Sequence, residues 1–156
     1  MSNVSDFILD FVSVREIQAD DVHFVLDSFI TCLSRYDESI VKGFDHHYSK
    51  KYLEKLMLYV LQSGKYSVFI CSNKDEPTNI YAYIIGDPTT NYVFFNYTKY
   101  LYRPYGLQKY LLLPLILDPS QPVVVEWPTK EMLKAKKAGK VTIEHRIMES
   151  FIDEAT

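Results

Sequence analysis

The residues best placed to do chemistry lie between Phe95 and Leu112. Phe95-Asn96-Tyr97-Thr98 reads as a strand. Tyr102-Arg103-Pro104-Tyr105-Gly106 breaks that pattern, and an apolar run of helical character begins at Leu107. A strand, a tight turn with one glycine and a helix aim backbone N–H groups and the positive end of a helix dipole at one point. That is the local chemistry of a phosphate or pyrophosphate site. The same order also describes an ordinary strand-to-helix turn, and these residues alone leave both readings open.

Other groups invite weaker readings. Glu126 ends a β-branched run and is either a base facing a cleft or a surface carboxylate. His46 and His47 are adjacent in a polar stretch, with no cysteine or acidic cluster beside them. Neighbouring residues cannot both face one metal from a helix, so no metal site is expected; a solvated loop or a role beside an acceptor remains. Lys134, Lys136, Lys137 and Lys140 either grip phosphate or form a solvated helix end. Tyr92, Phe94, Phe95 and Tyr97 could stack bases, but no basic set interleaves them and the net charge is −3. Core packing on alternating faces is therefore expected, and a nucleic-acid partner is not.

These residues need a scaffold. A chain of 156 residues, 47 % apolar and 24 % charged, fits one α/β domain. Its core is expected over 11–127, with a Lys-rich extension over 128–156. Cys32 and Cys71 lie in apolar runs, which points to reduced, mostly buried thiols in a reducing compartment, the cytoplasm. No basic segment precedes an apolar run at the N-terminus, so no signal peptide is expected. No uncharged apolar run approaches the roughly 20 residues that span a bilayer, so no membrane span is expected either.

Phe11 to Ile17 reads as a first strand, with Val12, Val14 and Ile17 pointing inward. Asp20 and Asp21 favour a helix start. Val22, Val25, Leu26, Phe29, Ile30 and Leu33 then repeat at helical spacing along one face. Burying those six side chains contributes on the order of 10 kcal/mol as an upper bound, before ordering entropy. A second helix is expected from a Ser49 cap to Ser63, with Tyr52, Leu53, Leu56, Tyr59 and Val60 inward and Gly64 closing it. Strands at 66–72, 80–86 and 92–98, joined by short turns, predict an antiparallel meander. The helix from Leu107 to Leu117 is apolar nearly all round, which predicts deep burial. With the strand at 122–127 it makes a parallel crossover. Thr129 to Ala138 is a further helix candidate, and Lys140 to Glu144 a short strand.

The order of these elements resembles the GNAT-type N-acetyltransferases, in which a strand runs into Q/R-x-x-G-x-G/A and then a helix. Arg103, Pro104, Tyr105, Gly106, Leu107 and Gln108 align with that motif. Val14-Arg15-Glu16, followed by Asp21, resembles a branch of small phage-encoded GNAT-like proteins. The resemblance spans roughly Val12 to Trp127. It implies a mixed sheet, an antiparallel meander with a parallel splayed strand pair and helices on both faces. It also implies acetyl-CoA as cofactor, with the pyrophosphate on the backbone amides of roughly Pro104 to Lys109, Arg103 as a further cofactor-binding residue, and the pantetheine arm along Asn96, Tyr97 and Thr98. A backbone N–H near Tyr97 would polarise the thioester, Glu126 is a candidate base, and a small-molecule or protein amine would be the acceptor. Three departures stand out: Gln108 takes a position usually held by a small residue, where it is expected to crowd the pyrophosphate; no tyrosine follows Tyr110 to protonate the leaving thiolate; and Thr129 to Lys134 stands where the family commonly has an Asn-rich helix and a Gly-Phe pattern. They favour the alternative, a non-catalytic GNAT-like protein of a phage particle or one acting on a host factor.

Overall fold

The computed structural model describes residues 10–34, 50–115, 118, 120–126, 137, 139 and 141–143. Six strands form one sheet in sequential order: β1 (Val12–Glu16), β2 (Ser67–Asn73), β3 (Ile80–Asp87), β4 (Tyr92–Thr98), β5 (Val123–Val125) and β6 (Val141–Ile143). β1 to β4 pair antiparallel; β4–β5 and β5–β6 are parallel. The meander and the crossover are as the sequence predicts. The helix candidate at 129–138, the Ser49 cap and the His46-His47 pair fall wholly or mostly outside the described residues.

Helices α1 (Val22–Ser34) and α2 (Lys50–Gln62) cover one face of the sheet. Val25, Phe29, Leu53, Leu56, Met57 and Val60 pack there against Val68, Ile70, Tyr83 and Ile85. Met57, which the inward stripe omitted, is fully buried because it is one residue on from Leu56, and both point at the sheet. The Tyr83 hydroxyl joins the layers, 2.6 Å from Ser28 Oγ and donating to Val25 O at 3.2 Å. Burial pushes that phenol well above its ordinary pKa. Helix α3 (Leu107–Leu115) covers the other face, with Leu107, Leu111 and Leu115 against Val12, Cys71, Ile84, Val93 and Val125.

Three expectations need correction, while Ile17 does point inward. Val14 is exposed although it shares a face with buried Val12, because β1 is the edge of the sheet and α3 lies mainly over β2, β3 and β4. Ile17 packs into the opposite cluster, as the period of two requires for a residue five positions from Val12. Helix α3 is not buried all round, since Leu113 is 74 % exposed on its outer side. The aromatics of β4 do not alternate. The register slips between Ile85 and Gly86, which oppose Phe95 and Val93 and leave Phe94 as an extra residue. This bulge puts Phe94 and Phe95 into the same core, both against Phe29.

Candidate functional site at the open end of the fourth strand

β4 has two unlike halves. Its first half is closed by β5: Tyr92 aligns with Val124 and Val93 with Val125. The last ladder contact runs from Glu126 N–H to Val93 O at 2.9 Å. Beyond Val93 no described strand pairs with that edge, whereas pairing with β3 continues to Thr98. Among the described residues, the β4–β5 ladder thus ends at the bulge. Lys99 N–H donates to Tyr81 O at 2.9 Å. Inter-strand bonds alternate along an antiparallel pair, so Tyr97 also faces β3, while Asn96 and Thr98 turn their N–H and C=O groups to the open edge. The available backbone donors are therefore those of Asn96 and Thr98, one residue either side of Tyr97.

The Tyr97 ring lies on the α1 face, 5.9 Å from Phe24 and 5.5 Å from Tyr83 between centroids. Burial raises its phenol pKa. Asn96 lies on the α3 face, opposite Ile84. Its Oδ1 is buried and has no hydrogen-bond partner among the described residues. Such an acceptor is costly unless a donor reaches it.

A 3₁₀ turn, Tyr100–Tyr105, carries the chain from β4 to α3. Gly106 ends it at φ +67°, a backbone state that disfavours side chains. A Cβ built there would meet only Lys109 Cδ, at 4.0 Å. The turn is thus open in front of Gly106, and its backbone is approachable. Leu107 and Gln108 follow in the first turn of α3, where an α-helix provides N–H groups with no internal acceptor. Pro104 and Lys109 are exposed, and Tyr105 is half-buried. The Arg103 guanidinium lies over the exposed Tyr100 ring, 5.5 Å from its centre, and its Nε donates to Thr98 O at 3.2 Å.

Gln108 does not crowd this turn. Its side chain runs under the sheet, where Nε2 donates to Tyr97 O at 2.9 Å and Thr98 Oγ1 at 3.0 Å, with Tyr83 O at 3.3 Å. Glu126 is not a surface carboxylate. It is fully buried at the mouth of the gap, and the Tyr92 hydroxyl donates to its Oε1 at 2.7 Å. Tyr92 was visible in sequence only as one aromatic among several; its bond to Glu126 spans two strands and has no local signal. Cys71 is buried, and desolvation pushes its thiol up to about 11; Cys32 is only half-buried.

No family profile matches the sequence. No curated protein matches it either. Solved structures do. A possible acetyltransferase from Clostridium difficile 630 aligns over 82 % of this chain and 86 % of its own, at TM-score 0.52 and 18 % identity. A GCN5-related N-acetyltransferase from Kribbella flavida aligns over 85 % and 71 %, at TM-score 0.45 and 13 % identity. A ribosomal-protein-alanine N-acetyltransferase from Brucella melitensis biovar Abortus 2308 aligns over 85 % and 79 %, at TM-score 0.41 and 14 % identity. The first of these likenesses, with the mixed six-stranded sheet and its helices, gives the chain a GNAT fold. Among the described residues no helix is long and apolar enough to cross a membrane.

Proposed function

We propose that this chain is an acetyl-CoA-dependent N-acyltransferase acting on a small-molecule or protein amine. One observation carries the reading: among the described residues the β4–β5 ladder ends at Val93, and the half of β4 beyond it runs into the accessible Gly106 turn. An extended ligand arm with amide groups fits the open edge of Asn96 and Thr98, and the partnerless Asn96 Oδ1 offers it an acceptor. Phosphates fit the turn at Gly106 and the N–H groups of Leu107 and Gln108 at the start of α3, whereas Pro104 has no N–H and that of Lys109 donates to Gly106 O. The cofactor would supply the activated acyl group.

The chain's own groups have these tasks. An N–H of Asn96 or Thr98 receives the oxygen charge that builds as the amine nitrogen bonds the carbonyl carbon. Glu126, oriented by Tyr92, takes the proton that the amine loses. As the amine takes the acyl group the carbon–sulfur bond would break, and water would protonate the departing thiolate, because no tyrosine follows Tyr110. The phage-encoded source rests on the Val14 to Asp21 resemblance, and the cytoplasmic setting on the cysteine pattern.

Acetyl-CoA at about a hundred times its dissociation constant should stabilise the protein by about 2.7 kcal/mol. For a chain of this length that raises the melting temperature by roughly 5–10 °C. Labelled acetyl groups should then appear on members of an amine panel. A melting temperature unmoved by about 1 mM acetyl-CoA, well above ordinary substrate affinities, would rule out the cofactor and leave the non-catalytic phage or host-interaction role.

A further inference from the structure

Gln108 stands where a small residue would let the backbone approach a ligand, yet its side chain is spent elsewhere. An amide NH2 has two hydrogens, and here it meets three oxygens, on Tyr97, Thr98 and Tyr83. The two shorter contacts go to the open half of β4 and the longest to β3. A glycine or alanine could not make any of them. On the open edge, Arg103 Nε holds Thr98 O. The motif's first and last residues therefore grip the end of β4 from two sides, where β5 no longer does. The grip sets the spacing between the strand edge at Asn96–Thr98 and the turn at Gly106.

We infer that Gln108 is a positioning residue, a clamp that fixes the open half of β4 against the Gly106 turn so that a ligand spanning both meets them already aligned. This rests on the acetyl-CoA reading. A ligand that touches two surfaces gains from their fixed spacing, because the ordering is done before it arrives. A ligand that touches only the turn gains nothing from it. The clamp thus affects long ligands and spares short ones.

Gln108→Met keeps length and apolar volume and removes all three contacts. Calorimetry should compare acetyl-CoA with phospho-ADP, the nucleotide half of coenzyme A without its arm. For Gln108→Met, acetyl-CoA should bind about tenfold more weakly, the loss expected for roughly one net hydrogen bond. The nucleotide half should change by less than about twofold. Unchanged acetyl-CoA affinity in a folded variant would overturn the clamp and leave the acetyl-CoA reading standing. Equal losses for both ligands would also overturn it, since they mark general destabilisation. Wild type that binds neither ligand would remove the acetyl-CoA reading, and the clamp with it. Gln108→Glu provides a second route if the methionine variant does not fold. Its carboxylate faces three oxygens at neutral pH, and protonation restores one donor. Its acetyl-CoA affinity should recover as pH falls from about 7.5 to about 5, relative to wild type; no recovery would count against the clamp.

Discussion

Two polar clusters flank this sheet, and they are built differently. At β1, Arg15 forks onto Asp21, with Nη1 to Oδ2 at 2.6 Å and Nη2 to Oδ1 at 2.9 Å. Arg15 also donates to Pro77 O, Ser72 Oγ and Glu16 O, and Asp21 accepts from Gln18 N–H. Donors and acceptors are closely matched, and one ion pair joins β1, β2, the β2–β3 turn and the start of α1. At the open end of β4, by contrast, Asn96 Oδ1 and Gln108 Oε1 are buried with no partner among the described residues, and no described strand pairs with the edge. A saturated cluster has nothing left to offer a ligand and acts as a staple. An unsaturated one stores a cost that a ligand can remove.

The largest expected effect breaks the staple. Asp21→Ala removes the fork from a partly buried guanidinium and should cost up to about 3 kcal/mol in urea unfolding. Acetyl-CoA affinity per folded molecule should stay unchanged. The Arg15 guanidinium holds the Asp21 carboxyl below its ordinary pKa, first by hydrogen bonding. A carboxylate shifted that way adds stability that is present above its unfolded pKa and lost as pH falls through the folded one. Wild type should therefore lose this contribution below about pH 4, and Asp21→Asn should not show that loss.

A middling effect separates strain from recognition. Gly64 and Gly106 both sit at positive φ, +72° and +67°, with open space where a Cβ would go. Valine at either position should cost about 1–3 kcal/mol through backbone strain alone. Calorimetry should find acetyl-CoA binding intact in Gly64→Val and lost in Gly106→Val. Equal binding by both would detach the turn from the ligand.

The smallest effect on stability sharpens the contrast most. Asn96→Leu removes a buried acceptor that has no partner, so stability should move by no more than about 0.5 kcal/mol, in either direction. Acetyl-CoA affinity should nevertheless fall, by about threefold to tenfold. A variant that binds as well as wild type would mean that the Asn96 amide is not used.

Much of this arrangement is legible along the chain. The helix from Val22 follows from a repeat of apolar side chains that every helical turn must place on one side. The three meander strands follow from β-rich runs cut by short turns, and β4 begins and ends where the pattern does. The glycine turn at Gly106 is visible because few residues other than glycine tolerate its dihedral. The Arg15–Asp21 staple is visible as a spacing, although its bonds are not.

What tertiary structure alone decides is direction. Local period assigns a side chain to a face only while the register with the neighbouring strand stays even. The bulge at Phe94 depends on how Ile85 and Gly86 pair across from it, and nothing in Phe94-Phe95 announces it. Val14 has the right period to be buried but sits on the edge strand, away from the middle of the sheet where α3 packs. Glu126 looks like a strand-end carboxylate of the surface until β5 packs its side chain against Tyr92, distant in sequence. Gln108 looks like an obstruction in the turn until the first turn of α3 points it under β4. Each of these outcomes depends on a partner brought up by the fold, and a one-dimensional pattern carries no information on which partner will arrive.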